Sequence, residues 1–233
     1  MSNIDELNIV TATNFNTIEL EKKLKKYNLN FPKDTAKQDD IENTKFPAFA
    51  YSFYELIIEE KIIPTQSRFF NYYISSHKKE TVKVKDHILR IGDLSKSEKR
   101  ALKSRIYKRS YPSLIRDFHF SLLAKEKTLF KVYTNLKMDI EEGIDMLIDH
   151  TYAIHLWLVT RASMRYRQRK YKYRHDYDNS EYNNLELPLD PFNIMSPNKH
   201  NGQKVGSFFL YSINEVDYMT DMILGKHDSF QPA

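Results

Sequence analysis

The sequence predicts a mixed α/β (α+β) fold, in which helices pack on a mixed sheet and a helical extension precedes them. Two patterns support this prediction: apolar residues recur at helical spacing over residues 46–58, and short strand-like apolar runs follow one another between residues 129 and 159. No glycine occurs before Gly92, which suits a helical first third. With 233 residues, of which 41% are apolar, the chain is long enough to bury a core.

Residues 1–95 are predicted to form the helical N-terminal extension. The central helix of this part carries Phe46, Phe49 and Phe53 at helical spacing, and Pro64 marks its end. The charged residues around 77–95 separate the extension from the C-terminal part of the chain. The predicted elements are helices at residues 19–27, 46–58 and 66–74, and a short strand at residues 82–84.

Residues 96–233 are predicted to form the α/β core. A basic helix at residues 96–109 comes first, and a second helix opens at Tyr111-Pro112-Ser113, where Pro and Ser are favoured. The strands are predicted at residues 129–133, 144–148, 153–159, 185–187 and 207–212, an arginine-rich helix follows the third strand, and a last helix spans residues 215–224. The order from residue 111 is therefore helix, strand, strand, strand, helix, strand.

Positive charge is concentrated in two segments. The net charge is +5, and seven basic residues with no acidic one lie between Arg161 and Arg174. Such cations, interleaved with tyrosines, suit phosphate neutralisation and base stacking. The sequence therefore predicts a nucleic-acid-binding surface formed by Arg165, Tyr166, Arg167, Arg169, Lys170, Lys172 and Arg174. The second basic segment, residues 96–109, is interpreted first as a solvated helical face.

Several classes of protein are excluded by composition. The chain has no cysteine, which removes disulfide frameworks, thiolate metal sites and cysteine nucleophiles. Its apolar runs are far shorter than the roughly 20 residues that cross a bilayer, and its first residues do not resemble a secretory signal. A cytoplasmic protein without membrane contact is expected. Phosphate-binding loops, dinucleotide fingerprints, zinc-protease and hydrolase motifs are also missing.

The αβββαβ order resembles the core of the PD-(D/E)XK nuclease superfamily. In that superfamily an acid on the first helix and an Asp at the second strand bind a divalent ion. Here Gly143-Ile144-Asp145 begins the second predicted strand, and Asp117 lies on the first helix, with Glu126 as the alternative. The resemblance implies a restriction-endonuclease-like fold, Mg²⁺ held by Asp145 and Asp117, and a nucleic-acid substrate, DNA before RNA.

The third predicted strand departs from the family pattern because it contains neither an acid nor a lysine. Alternation along a strand would place His155, Trp157, Val159 and, if the strand continues, Arg161 on one face. Arg161 would then lie near the usual lysine position and hold the scissile phosphate, although a guanidinium cannot act as a base. His155 and Trp157 are expected to be packed core residues, and Asp145 and Asp117 also have ordinary interpretations as a turn residue and a surface helix residue.

Four functions are consistent with these observations. The first is a Mg²⁺-dependent endonuclease that hydrolyses DNA, for which a homodimer would supply the two sites of a double-strand cut. The second is a DNA- or RNA-binding subunit without catalysis, whose partner performs the chemistry. The third is an interaction protein whose basic helix meets an acidic protein. The fourth is a metal-independent ribonuclease of the HEPN type, because Arg169 to His175 fits its Arg-x4-6-His pattern, although HEPN domains are helical bundles.

Overall fold

The computed structural model describes residues 6–29, 39–165, 181–195 and 200–226. Most of the arginine-rich segment therefore lies outside the described residues, including Tyr166, Arg167, Arg169, Lys170, Lys172 and Arg174, and so does the Arg169–His175 pattern. Within the described ranges, no helix combines the length and apolar character needed to cross a membrane.

Short helices and one hairpin make up the N-terminal part. The elements are α1 (Ile9–Ala12), α2 (Thr17–Leu24), α3 (Asp39–Asn43), α4 (Phe49–Glu59), α5 (Gln66–Ser76), β1 (Thr81–Val84) and β2 (His87–Arg90). The three helices and the strand predicted here are thus present, and β2 was not predicted. Thr65 caps α5 by accepting a hydrogen bond from the Arg68 backbone N–H, which explains why that helix begins where it does.

The central helix of the molecule is α7 (Tyr111–Lys127), which follows α6 (Lys96–Arg105) through a π-helical turn at Ile106–Ser110. Side chains are buried all around α7, as expected for a helix enclosed by other elements. Ile115 and Phe118 pack into the core shared with the N-terminal helices, whereas Phe120 and Leu123 pack against the sheet. One helix therefore joins the two cores.

The main sheet has four strands in the order β3–β4–β5–β6. They are β3 (Val132–Tyr133), β4 (Met146–Ile148), β5 (Tyr152–Leu158) and β6 (Asn183–Leu189). The first three form an antiparallel meander, and β6 pairs parallel to β5. The predicted mixed sheet is thus confirmed. The strand predicted at residues 207–212 is instead part of a separate hairpin, β7 (Gln203–Val205) with β8 (Phe208–Leu210).

Two more helices complete the described fold: residues 161–165, here called α8, and α9 (Ile213–Ile223). One face of the sheet packs on α7 and α9, where Ile154 and Leu187 lie in the same core cluster as Val216. Because β4 runs antiparallel to β5, its first residue Met146 pairs with Ile154, and β5 continues beyond that point to Leu158. The candidate site lies at the start of β4, beside the middle of β5. We call the end of the sheet where β5 and β6 finish together the exit end.

The N-terminal helices are tied to the sheet by long-range hydrogen bonds. The Ile9 backbone N–H donates to the Thr134 carbonyl at 2.8 Å, and the Asn8 side-chain amide donates to the Val132 carbonyl at 3.0 Å. The segment around α1 therefore lies beside β3, although more than a hundred residues separate them in sequence.

Candidate functional site

Asp145 lies immediately before β4, beside the middle of β5. The π-helical turn Met138–Glu142 ends at Gly143, whose φ of 68° is left-handed and suits glycine. This turn leads the chain into β4 so that Oδ2 of Asp145 accepts a hydrogen bond from the Leu156 backbone N–H at 2.7 Å. The carboxylate thus accepts a backbone N–H of β5 that a neighbouring strand would otherwise pair with. Its position is fixed by this backbone donor, which is more rigid than a side-chain donor would be.

Asp117 lies on α7, and its charge raises the pKa of Asp145, on which burial has the larger effect. Oδ2 of Asp117 accepts from the Ser113 hydroxyl, one helical turn earlier, at 3.3 Å. Both carboxyl groups are surrounded by protein atoms while each residue keeps a partly exposed side. We call the group formed by Asp117, Asp139 and Asp145 the acid recess. That Asp117 and Asp145 together hold a metal ion stays a prediction.

The electrostatics of the acid recess favour uptake of positive charge. Burial raises the pKa of Asp117 to about 7, against the opposing charge of Arg116 and with a further rise from Asp139. Burial raises the pKa of Asp139 to about 6. Burial, together with the charges of Asp117 and Asp139, raises the pKa of Asp145 well above its usual value. A proton or a metal cation would relieve the repulsion.

The donor set fits a site with two carboxylates. Among the residues that the structure describes, no group of three His, Asp or Glu side chains converges closely enough to hold a metal ion. Mg²⁺ is commonly held by one or two carboxylates, with waters and substrate phosphate completing its shell. Asp117 and Asp145 would be the two carboxylates of such a site, and the charge of Asp139 also raises the pKa of both.

Arg161 is not on the strand. β5 ends at Leu158, and Arg161 lies on α8 with an exposed side chain. The arrangement with His155, Trp157 and Arg161 on one strand face therefore does not extend to the arginine, because the chain turns into a helix first. The buried cation whose charge acts on Asp117 is Arg116, which is only 7% exposed.

His155 and Glu126 have structural partners. Nδ1 of His155 bonds the Gly143 carbonyl at 2.9 Å, so this nitrogen carries a proton, and Nε2 contacts the Asn184 side-chain amide at 2.9 Å. This confirms the interpretation of His155 as a packed, hydrogen-bonded residue. Glu126 accepts from the Thr17 backbone N–H at 2.8 Å and from its hydroxyl. Of the two candidate acids on α7, Asp117 is therefore the one in the recess.

The cations of the two basic segments have different surroundings. Arg165 and Arg161 are exposed on α8 at the exit end. In the segment at residues 96–109, by contrast, Lys99 donates to the Gly92 carbonyl at 2.7 Å, and Arg105 donates to the Ile41 carbonyl at 2.8 Å. Much of the second segment therefore stabilises the N-terminal part of the fold.

Sequence patterns alone did not single out Asp139, Glu186 or Arg116. Asp139 lies on the π-helical turn, and Glu186 lies on β6, where its charge also raises the pKa of Asp145. Arg116 could have been noticed as the neighbour of Asp117, but its burial depends on the packing of α7 against β8. These residues meet only through tertiary structure.

No known protein family, curated protein or solved structure matches this chain.

Proposed function

We propose that this protein is a metal-dependent phosphodiesterase that acts on nucleic acid, with Asp117 and Asp145 as the metal ligands. DNA is the first candidate substrate. The observation that carries the proposal is the acid recess, where half-buried carboxylates meet: the charges of Asp117 on α7 and of Asp139 raise the pKa of Asp145, which burial has already raised. Half-buried carboxylates that repel one another favour a cation between them.

The order of elements around the recess supports a nuclease-like core. The helix α7 precedes the meander β3–β4–β5, and helical residues 161–165 precede β6, which is parallel to β5. The PD-(D/E)XK superfamily uses the same αβββαβ order and places acids at the corresponding helix and second strand. The shared order and the two acids are independent observations that favour the same function.

The metal ion, Asp145 and the nearby arginines have different roles in this proposal. Bound Mg²⁺ would supply charge neutralisation and lower the pKa of a water, the usual contribution of this ion to phosphodiester hydrolysis. Oδ2 of Asp145 is held by the Leu156 N–H, which leaves Oδ1 as the oxygen that would bind the metal. Arg116 provides a buried positive charge beside Asp117, and exposed Arg161 and Arg165 would contact the nucleic-acid backbone.

The test is a cleavage assay on plasmid, linear duplex, single-stranded DNA and RNA, each with Mg²⁺, Mn²⁺ or EDTA. Asp145→Asn keeps the shape and the acceptor for Leu156 but removes the charge, so we expect cleavage to fall at least about 100-fold while binding changes little. Asp217→Asn makes the same chemical change at an exposed position of α9 and serves as the control. Cleavage that persists in Asp145→Asn would remove this residue from the mechanism.

A binding module without catalysis is the second candidate, because β5 contains no acidic residue and no lysine. In that case the wild-type protein would bind nucleic acid with a steep dependence on salt and cleave none of the substrates with either metal.

A further inference from the structure

At the exit end, an exposed phenylalanine, Phe192, packs on a partly buried one, Phe209. Phe192, which follows β6, is 54% exposed, and its ring centroid lies 5.3 Å from that of Phe209 on β8 at an interplanar angle of 64°. The loop that carries Phe192 is anchored, because the buried carboxylate of Asp190 accepts from the Ile194 and Met195 backbone N–H groups at 2.8 and 2.7 Å. An apolar ring is therefore held at the surface by a built loop.

A cation contacts this aromatic pair: Lys204 Nζ lies 5.8 Å from the centroid of the Phe209 ring. The Val159 N–H donates to the Leu189 carbonyl at 2.8 Å, so the chain leaves β5 beside the end of β6. As a result, exposed Arg161 on α8 emerges at the same end of the sheet as the aromatic pair.

The aromatic pair is also linked to the acid recess. Arg116 Nε donates to the carbonyl of Phe209 at 3.4 Å, and Arg116 directly precedes Asp117 on α7. Burial raises the pKa of Tyr211, two residues beyond Phe209, and the charges of Asp117 and Asp145 raise it further. Arg116 therefore contacts the strand that carries Phe209 and directly precedes a proposed metal ligand.

We infer that the surface formed by Phe192 and Phe209, with Lys204 beside it and Arg161 and Arg165 exposed at the same end of the sheet, stacks on an unpaired base of single-stranded nucleic acid. An exposed ring can stack on any base whose face is free, and flanking cations contact the adjacent phosphates. Paired bases in a duplex do not offer their faces. That a strand bound here is also presented to the metal ligands rests on the proposed function, whereas the stacking itself does not.

The test is fluorescence anisotropy in EDTA with a labelled oligothymidine single strand and a duplex of the same length. Because stacking on one aromatic is worth about 1–3 kcal/mol, Phe192→Ala should weaken single-strand binding about 5- to 150-fold and change duplex binding less than about twofold. Phe192→Trp should bind the single strand at least as well as the wild type. An abasic strand of equal length should bind the wild type and Phe192→Ala equally.

Leu129→Ala is the matched control, since Leu129 is a fully exposed apolar residue before β3, at the opposite end of the sheet. It should leave single-strand binding unchanged. Single-strand affinity that survives Phe192→Ala, or falls equally for single strand and duplex, would overturn the inference. A homodimer that dissociates in Phe192→Ala, measured by sedimentation, would also overturn it by showing a second copy on this surface.

The outcomes separate this inference from the proposed function. Selective loss of single-strand binding in Phe192→Ala supports the stacking surface even if no cleavage is found with either metal. Metal-dependent cleavage lost in Asp145→Asn, together with unaltered binding by Phe192→Ala, would support the nuclease and refute the stacking surface.

Discussion

Replacing Asp117 with Asn should stabilise the metal-free protein at neutral pH. In the folded protein the pKa of Asp117 is raised from 3.8 to about 7, so between these values the folded state binds a proton that the unfolded state has lost. The free energy of unfolding therefore falls as pH rises through this window, and above it the folded protein carries the full cost of the buried charge. Asn is uncharged and removes that cost.

The size of the effect follows from the raised pKa. A pKa of about 7 instead of 3.8 corresponds to about 4 kcal/mol at about 1.36 kcal/mol for each pKa unit. Because Asp117 keeps a partly exposed side, water screens some of this repulsion, and we expect Asp117→Asn to gain about 1–3 kcal/mol above the window. Below pH 3.8 the gain should vanish, since Asp117 is then protonated in both states.

Urea unfolding followed by circular dichroism, in EDTA and at pH values on both sides of this window, measures the gain. Asp217→Asn, at an exposed position of α9, should change stability little at either pH. Adding Mg²⁺ should stabilise the wild type and not Asp117→Asn, because a ligand stabilises only the state that binds it. If Asp117→Asn destabilises the protein equally at both pH values, the carboxylate has a structural role and the electrostatic argument fails.

Two further predictions concern other parts of the fold. A hydrogen bond from buried His119 lowers the pKa of Glu21 from its ordinary value of 4.5. The pair therefore stabilises the protein above pH 4.5, and this contribution is lost in acid. In urea unfolding, Glu21→Gln should lower the free energy of unfolding by about 1–2 kcal/mol at neutral pH and by little in acid. A Cβ at Gly202 would overlap the Leu210 carbonyl, so Gly202→Ala should cost more than about 3 kcal/mol in thermal unfolding, whereas Gly225→Ala, with a similar positive φ and open space, should cost about 1 kcal/mol; equal losses would contradict the steric argument.

The local elements could be predicted because their patterns are local. The alternation and apolar runs between residues 129 and 159 indicated the meander, and the apolar spacing of residues 215–224 indicated α9, which spans Ile213–Ile223. Strand pairing was harder to foresee. The run at Ser207–Ser212 has a strand's composition, but nothing within it distinguishes a place in the main sheet from pairing with β7.

The candidate site was only partly predictable. Asp117 and Glu126 are nine residues apart on one helix, which places them on nearly opposite sides of it. Sequence cannot tell which side faces β4, so it could not choose between the two acids. Arg161 was misplaced because a strand's end depends on its neighbours: β5 and β6 pair as far as Leu158 and Leu189, and the chain then turns into α8.

The hydrogen bonds between the N-terminal helices and distant parts of the chain limit when these helices can dock during synthesis on the ribosome. The Ile9 amide can form its hydrogen bond only after Thr134 has been synthesised. Oε1 of Glu21 accepts from the side-chain amide of Gln203 at 2.9 Å, and this partner lies 182 positions later in the sequence. Such high contact order slows folding, because loop closure is costly until the distant partners meet. The helices α1 and α2 therefore keep apolar faces uncovered until the segments that carry Thr134 and Gln203 have been translated.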